Sequence, residues 1–303
     1  MATKPLSGVQ VVGVRYRGST PAVRDERALD AYTESGVYES IDVPVTVIEP
    51  QLPEDKRTGE PTDDLGLMGS AIADEVAAGI RAGNGVMMVG GDCSHITGVF
   101  GGIQDVYGPD VKVGLVWFDA HGDFNTPRTT LSGMLGGMPV AVSAGLAFPR
   151  WRELSHMRAP IPTDRIVMVD VRNLDTAEEQ LIRATDVQIA APAPGFPGCD
   201  LKQTIQDLAD RCDLIYLHID SDILDQAFVP NHGTREPNGP NMEQVRDAIE
   251  TVMSTGKVVA YAVVSIYGEG DGYETSIESG IELLRSGLDS WQRNGMPEGV
   301  QTG

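Results

Sequence analysis

Trp117-Phe118-Asp119-Ala120-His121-Gly122-Asp123-Phe124-Asn125-Thr126-Pro127 decides how the rest of the chain reads. Val113 to Trp117, all apolar or small, run into it as a buried strand. Asp119, His121 and Asp123 then follow at alternate positions. In an extended segment alternate side chains point the same way, so all three can face one point in space. Two carboxylates and an imidazole there would be costly to bury unpaired, which predicts a cation among them.

A second run matches the first. Asp213-Leu214-Ile215-Tyr216-Leu217-His218-Ile219-Asp220 is another apolar strand ending in a carboxylate, with Asp222 and Asp225 just beyond. Either run alone has a plainer reading, because Asp is common after strands as a turn former or helix cap. Two such runs in one chain favour a metal site. Hard oxygen donors with imidazole suit Mn²⁺, Fe²⁺, Co²⁺ or Zn²⁺.

Asp119-Ala120-His121-Gly122-Asp123-Phe124-Asn125 resembles the Asp-Ala-His-x-Asp-x-Asn motif of the ureohydrolases, the family of arginase, agmatinase and formimidoylglutamase. Asp220-Ser221-Asp222-Ile223-Leu224-Asp225 resembles that family's second motif, Asp-x-Asp-x-x-Asp, and Gly90-Gly91-Asp92-Cys93-Ser94 its Gly-Gly-Asp-His-Ser. The resemblance implies two divalent metal ions, Mn²⁺ the first choice, bridged by Asp119 and Asp220. Asp123 would bind one ion, and His121 with Asp222 the other. Solvent between the ions would lose a proton and attack, with Asp123 as the catalytic residue orienting it. The implied reaction is hydrolysis of a linear C–N bond in a guanidino or amidino substrate, with a urea-type product. Asn125, Ser132 and Thr234 fall where the family contacts substrate, although Asn125 and Ser132 suit a turn or cap equally well. Family members are often trimers or hexamers, so a homo-oligomer is implied.

Three departures bear on that reading. Cys93 stands where most of the family has a metal-binding His. A thiolate can ligate but favours softer metals than Mn²⁺; otherwise Cys93 is a small buried filler. Gly136 stands where arginases place a His that assists proton transfer. Ser265 stands where the family often has a Glu that pairs with the guanidinium, leaving Glu269, Asp271 or Glu274 as possible substitutes. The chain is therefore expected to be a poor arginase. A neutral amide or imine substrate is the second reading, and a non-catalytic metal-binding protein the third.

The 303 residues permit a full α/β core. Lys plus Arg number 23 against 44 Asp plus Glu, for a net charge of −21, which argues against nucleic acid and anionic membranes as partners. The three cysteines are sparse and odd in number, residues 1–8 are polar, and no apolar run is long enough for a bilayer. A reducing cytoplasm is the expected location.

Apolar runs at Val9–Tyr16, Val43–Ile48, Val86–Val89, Val113–Trp117, Arg165–Val169, Asp213–Asp220 and Val258–Val264 read as strands. Helical spacing appears at Asp63–Ala82, Ser132–Ala144, Thr176–Ala184, Leu201–Cys212, Met242–Met253 and Ile277–Trp291, and in a helix that Ser94 would cap, reaching about Tyr107. Pro21 to Tyr32 carries helix formers. Ala190–Gly198 and Phe228–Asn241 read as loops. This alternation predicts a three-layer α/β/α domain over residues 1–303, with a mainly parallel sheet of about eight strands. His218 shares its strand parity with Asp220 and reads as a support behind the ligands. His95 and His156 read as structural. His232, a lone loop histidine, reads as solvated, with acid–base work as the alternative. Arg15, Arg17 and Arg24 read chiefly as surface groups.

Overall fold

The computed structural model describes residues 2–300; of the span 1–303 expected to form one domain, residue 1 and residues 301–303 lie outside the described residues. The main sheet has eight strands: β1 (Val9–Val14), β2 (Val45–Ile48), β3 (Gly85–Gly90), β4 (Val113–Phe118), β5 (Ile166–Val169), β6 (Gln188–Ala190), β7 (Leu214–Asp220) and β8 (Val258–Val264). They lie in the order β2-β1-β3-β8-β7-β4-β5-β6, and every neighbouring pair is parallel. Helices cover both faces, so β1, β3, β4, β5, β7 and β8 are buried at every residue. That double covering is why these strands are continuous apolar runs instead of alternating ones. The expected three-layer α/β/α architecture is what the chain adopts.

The helices are α1 (Leu29–Glu34), α2 (Pro61–Arg81), α3 (Ile96–Tyr107), α4 (Pro139–Ser143), α5 (Pro149–Leu154), α6 (Thr176–Arg183), α7 (Leu201–Arg211), α8 (Met242–Met253) and α9 (Tyr273–Asn294). Among the described residues no helix is long and apolar enough to cross a membrane. α3 contains Gly98, Gly101 and Gly102, which would ordinarily weaken a helix by roughly 0.5–1 kcal/mol each relative to alanine. Close packing explains all three: a Cβ on Gly98 would stand 2.6 Å from the Gly69 carbonyl oxygen. A Cβ on Gly102 would stand 2.5 Å from Val76 Cβ of α2, and one on Gly101 would meet the Ser155 carbonyl oxygen at 1.8 Å.

Five features differ from the sequence reading. Ser132–Ala144 is not one helix. Gly133 takes φ +74°, a single 3₁₀ turn spans Leu135–Gly137, and α4 begins only at Pro139. Hydrogen bonds from Asn125 N to Gly137 O (3.1 Å) and from Val140 N to Asp123 O (3.0 Å) tie this segment to the first motif instead. Ser94 is not the cap: the Asp92 carboxylate accepts from Ser94 N at 3.0 Å and caps the turn Cys93–His95 that leads into α3. Between residues 21 and 32 only the end is helical, from Leu29 onward. Strand β6 was hidden in sequence because it is three residues long and lies at the sheet edge, where no continuous apolar run is needed. The strand begun at Val9 also stops early, at Val14.

Four adjacent strands in the middle of the sheet, β3, β8, β7 and β4, direct their C-terminal loops to one place. Sites in open parallel sheets lie beyond those strand ends.

Candidate metal centre

All nine residues singled out for chemistry line one cavity of about 710 Å³: Cys93, Asp119, His121, Asp123, Asn125, Ser132, Asp220, Asp222 and Thr234. Asp119, Asp123, Asp220 and Asp222 are buried, and His121 is half-buried. The convergence has a different local cause from the one the alternation suggested. β4 ends at Phe118, and the chain turns through Asp119–Asp123 instead of continuing extended. His121 N donates to Asp119 Oδ1 at 2.6 Å, and Asp123 takes φ +45°. In the second motif Asp220 is the last strand residue, while Asp222 sits in the 3₁₀ turn Ser221–Ile223. Asp222 N donates to Asp220 Oδ1 at 3.1 Å, so each motif folds back on its own first carboxylate.

The two motifs then interlock. His121 Nδ1 lies 3.3 Å from Asp119 Oδ1 and 3.1 Å from Asp222 Oδ2. Ala120 N donates to Asp222 Oδ1 at 3.2 Å. The Cys93 thiol donates to Asp220 Oδ2 at 3.0 Å and stands 3.8 Å from Asp119 Oδ2. Donor atoms fall into three groups within reach of a common ion: Cys93 with Asp119 and Asp123, Asp119 with His121 and Asp222, and Asp220 with Asp222 and His232. Ligands about 2.0–2.3 Å from a shared ion stand roughly 3 to 3.5 Å apart. Several spacings here fall in that range.

Supporting groups fix these donors. Arg172 donates to the carbonyls of Asp222 (2.9 Å), Ile223 (3.0 Å) and Glu236 (3.2 Å), binding the second motif to the loop that follows it. Glu178 accepts from Phe124 N at 2.8 Å. His218 lies behind Cys93, its Nε2 3.5 Å from Sγ, its Nδ1 2.8 Å from Tyr216 Oη, and its ring stacked on Trp117 at 4.3 Å. Burial lowers its imidazole to about 3, so it stays neutral. His95 is structural as expected, with Nδ1 3.1 Å from Asp92 N and Nε2 2.8 Å from Gly18 O. His156 is likewise bound by Ser70 and Asp105.

Asn125 donates to Asp175 Oδ2 at 3.3 Å, and Thr234 Oγ1 donates to Asp222 Oδ2 at 3.2 Å. Ser132 is exposed at the cavity's edge. A Cβ on Gly136 would meet nothing within 4 Å, so the space a larger side chain would fill is open. Ser265 donates to Asp220 Oδ2 at 2.7 Å. Glu269, Asp271 and Glu274 do not line the cavity; Tyr267 and the buried Arg27 do, with the Arg27 guanidinium 5.0 Å from the Tyr267 ring centre.

Sequence reasoning misplaced His232. It is not solvated; it is 3% exposed and stands among the buried aspartates, with Nε2 3.3 Å from Asp220 Oδ1. The signal was its alternation with Thr234 in one loop, the same two-residue spacing that marked the aspartates. Asp175, Glu178 and Arg27 also line the cavity and were not singled out from the sequence.

The electrostatics fit a missing positive charge. Burial and the charges of Asp222 and Asp123 raise the Asp119 carboxyl well above the usual range, and burial does the same to Asp123. Burial opposes charge on His121, but its contacts with Asp119 and Asp222 win and push it up to about 12. Burial likewise opposes charge on Asp220, yet His232, Ser265 and Cys93 hold it below the ordinary carboxylate value. A divalent cation would compensate such a carboxylate cluster, and the donor set of oxygen, imidazole and thiol suits a transition metal.

A prediction follows for protein stripped of metal by chelation. Groups raised on folding contribute stability that is complete below their unfolded values, about 4 for Asp and about 6.5 for His, and is lost as pH rises through the folded values. Asp119, Asp123 and His121 all have this sign; the lowered Asp220 and His218 oppose it, but only below their unfolded values of about 4 and about 6.5. The metal-free melting temperature should therefore fall between about pH 7 and 9, above the unfolded value of His218, and a saturating divalent ion should flatten or reverse the slope. A metal-free profile that is level or rising over that window would contradict the picture of a cluster short of positive charge.

Comparison with known proteins agrees with the geometry. The family model described as "Arginase family" matches residues 15–288. An arginase of Bacillus caldovelox is 29% identical over 201 residues, covering 65% of this chain and 65% of that protein, just under two thirds of its length. The structure of Entamoeba histolytica arginase superposes with a TM-score of 0.80 at 23% identity, covering 95% of this chain and 99% of that one. Formimidoylglutamase from Bacillus subtilis gives 0.72 at 15% identity over 96% and 89%. The family match spans most of the sequence, and by it this chain belongs to the arginase family.

Proposed function

We propose that the chain is a metal-dependent hydrolase of a C–N bond in a small guanidino, amidino or imino substrate, using two divalent ions. The reading is carried by one arrangement: Asp119, Asp123, Asp220 and Asp222 are buried together beside a substrate-sized cavity, with His121 and Cys93 among them. When bound, such an ion pair supplies a nucleophile at neutral pH and countercharge for the attacked carbon. In the proposed assignment Asp119, Asp220, Cys93 and Asp123 would hold one ion, and Asp119, Asp220, His121 and Asp222 the other. Asp123 would orient the attacking water by hydrogen bond. Asn125, Ser132 and Thr234 contact the substrate, and Arg172 and Glu178 act only by holding the loops. Mn²⁺ is the proposed ion, with Zn²⁺ or Fe²⁺ favoured at the Cys93 side by sulfur's softness. A cytoplasmic trimer or hexamer of one-domain chains completes the proposal.

The substrate reading turns on what the cavity lacks. The open space at Gly136 offers no proton-transfer group, and the Ser265 hydroxyl is spent on Asp220. Catalytic efficiency on L-arginine should therefore lie below about 10⁴ M⁻¹s⁻¹, the low end for competent enzymes. A steady-state assay of urea release with added Mn²⁺ checks this; a higher value refutes it. A neutral amide or imine substrate is the second reading, favoured by Arg27 and Tyr267 on the wall where a carboxylate would be needed to hold a guanidinium. Screening guanidino compounds for urea and amides or imines for ammonia separates the two. A metal-loaded protein inert to every class would leave a binding role alone.

A further inference from the structure

We infer that His232 is itself a metal ligand, binding through Nε2 the cation that Asp220 and Asp222 hold. The inference rests on the metal-dependent reading above and extends it to a residue outside the family's motifs. One imidazole is missing from the set because Cys93 replaces it. Another enters the same cluster from a different loop.

Three observations carry the assignment. First, Nε2 is buried without an aligned hydrogen-bond partner, although it stands 3.3 Å from Asp220 Oδ1. A buried polar nitrogen left unmatched costs on the order of 1–3 kcal/mol. The spacing is nevertheless that of two donors sharing an ion. Second, the ring's far side is arranged as a ligand's should be. Nδ1 lies 3.3 Å from Thr234 Oγ1, which donates onward to Asp222 Oδ2 at 3.2 Å. With its proton on Nδ1 donated to that hydroxyl, the imidazole keeps its Nε2 lone pair for the cation. A ligating histidine normally has this kind of support on its other nitrogen. Thr234 N, 3.2 Å from Nδ1, favours the opposite tautomer, but that form would aim an Nε2–H at Asp220 and gain no aligned bond.

Third, the loop is held in place. Asn231 donates to the carbonyls of Tyr267 (2.9 Å) and Glu269 (2.8 Å) and accepts from Ser276 Oγ at 2.5 Å. Arg235 Nη1 donates to His232 O at 2.9 Å, and the imidazole packs against the edge of Tyr267 at 5.4 Å. A histidine with no task in the cluster would not require such anchoring of the residues on either side.

Metal affinity alone does not decide the matter, because removing a hydrogen-bonding partner of a ligand also costs about 10–100-fold. The test counts nitrogens. Full-length protein loaded with Mn²⁺ is examined by pulsed electron paramagnetic resonance, with uniform ¹⁵N-histidine labelling to identify imidazole couplings. Two coupled imidazoles are expected in the parent, from His121 and His232, and one in His232→Gln. Glutamine preserves a side-chain hydrogen-bond donor toward Asp220, so a purely supporting role would be rescued by it. His232→Ala serves as the second variant, with the metal-free melting temperature reporting its folding. One coupled imidazole in the parent, or no change of couplings in a folded variant, overturns the assignment. A parent that takes up none of Mn²⁺, Fe²⁺, Co²⁺ or Zn²⁺ by elemental analysis removes the broader metal-dependent reading along with it, whereas a single-imidazole parent removes only His232.

Discussion

Replacing Asp220 with alanine is expected to lower divalent-metal affinity by at least about 100-fold, the upper end of what losing a ligand's supporting partner costs, and to take hydrolysis down with it. Four groups engage this one carboxylate. One oxygen, Oδ2, accepts from Cys93 at 3.0 Å and from Ser265 at 2.7 Å; the other, Oδ1, accepts from Asp222 N at 3.1 Å and faces His232 at 3.3 Å. Asp220 touches both halves of the donor set, and its removal strands Cys93, Ser265 and His232 together. Asp220→Asn separates charge from shape, since the amide can still accept from Ser265 or Asp222 but brings no negative charge to a cation. Both variants should lose metal by elemental analysis, with the asparagine protein the more stable of the two. Metal content equal to the parent's in either one would show that Asp220 is not a ligand.

The sequence made the strand-end carboxylates visible because a buried parallel strand is a continuous apolar run, and any charge at its end stands out. That the two motif strands, β4 and β7, are neighbours, with His218 beside Trp117, is shown by the sheet. The reason offered for the convergence of Asp119, His121 and Asp123 was wrong in detail. Alternation in an extended strand would align the three side chains, whereas the chain bends there, and the bend is stabilised by His121 N on Asp119 and by the left-handed Asp123. Local spacing cannot distinguish the two, since both bring side chains to one side.

What stayed hidden depended on groups far apart in the chain. His232 looked like an ordinary loop histidine because its burial comes from Tyr267 and the anchored Asn231, both dependent on loops that meet only in the fold. Ser132–Ala144 had helical spacing, but it is held open by Asn125 and Asp123, residues of the first motif. Arg27 gave no signal at all. It lies in a short mixed-charge stretch, and only the folded chain puts it beside Tyr267 on the cavity wall. Asp92 capped its turn where Ser94 was expected, since the two residues offer the same kind of oxygen and only backbone direction separates them.

Cys93 should control the occupancy and identity of one ion. The loop after β3 enters the turn Cys93–His95 and delivers Sγ to within hydrogen-bonding reach of Asp220 and into a group with Asp119 and Asp123. Burial, with the nearby charges of Asp220, Asp123 and Asp119, pushes the thiol up, so without a cation it stays protonated and merely donates to Asp220. A metal beside it reverses that balance and holds the thiolate. As the soft donor among hard ones, sulfur biases that position away from Mn²⁺. Cys93→Ala should then retain about one ion per chain, on the side of His121 and Asp222, and Cys93→His should restore a second Mn²⁺ without altering the first. Substitution of Co²⁺ into the parent should produce the near-ultraviolet sulfur-to-cobalt absorption that both variants lack. A parent without that absorption, together with a Cys93→Ala protein that still holds two ions tightly, would make Cys93 a packing residue, and the second ion would then rest on the carboxylates alone.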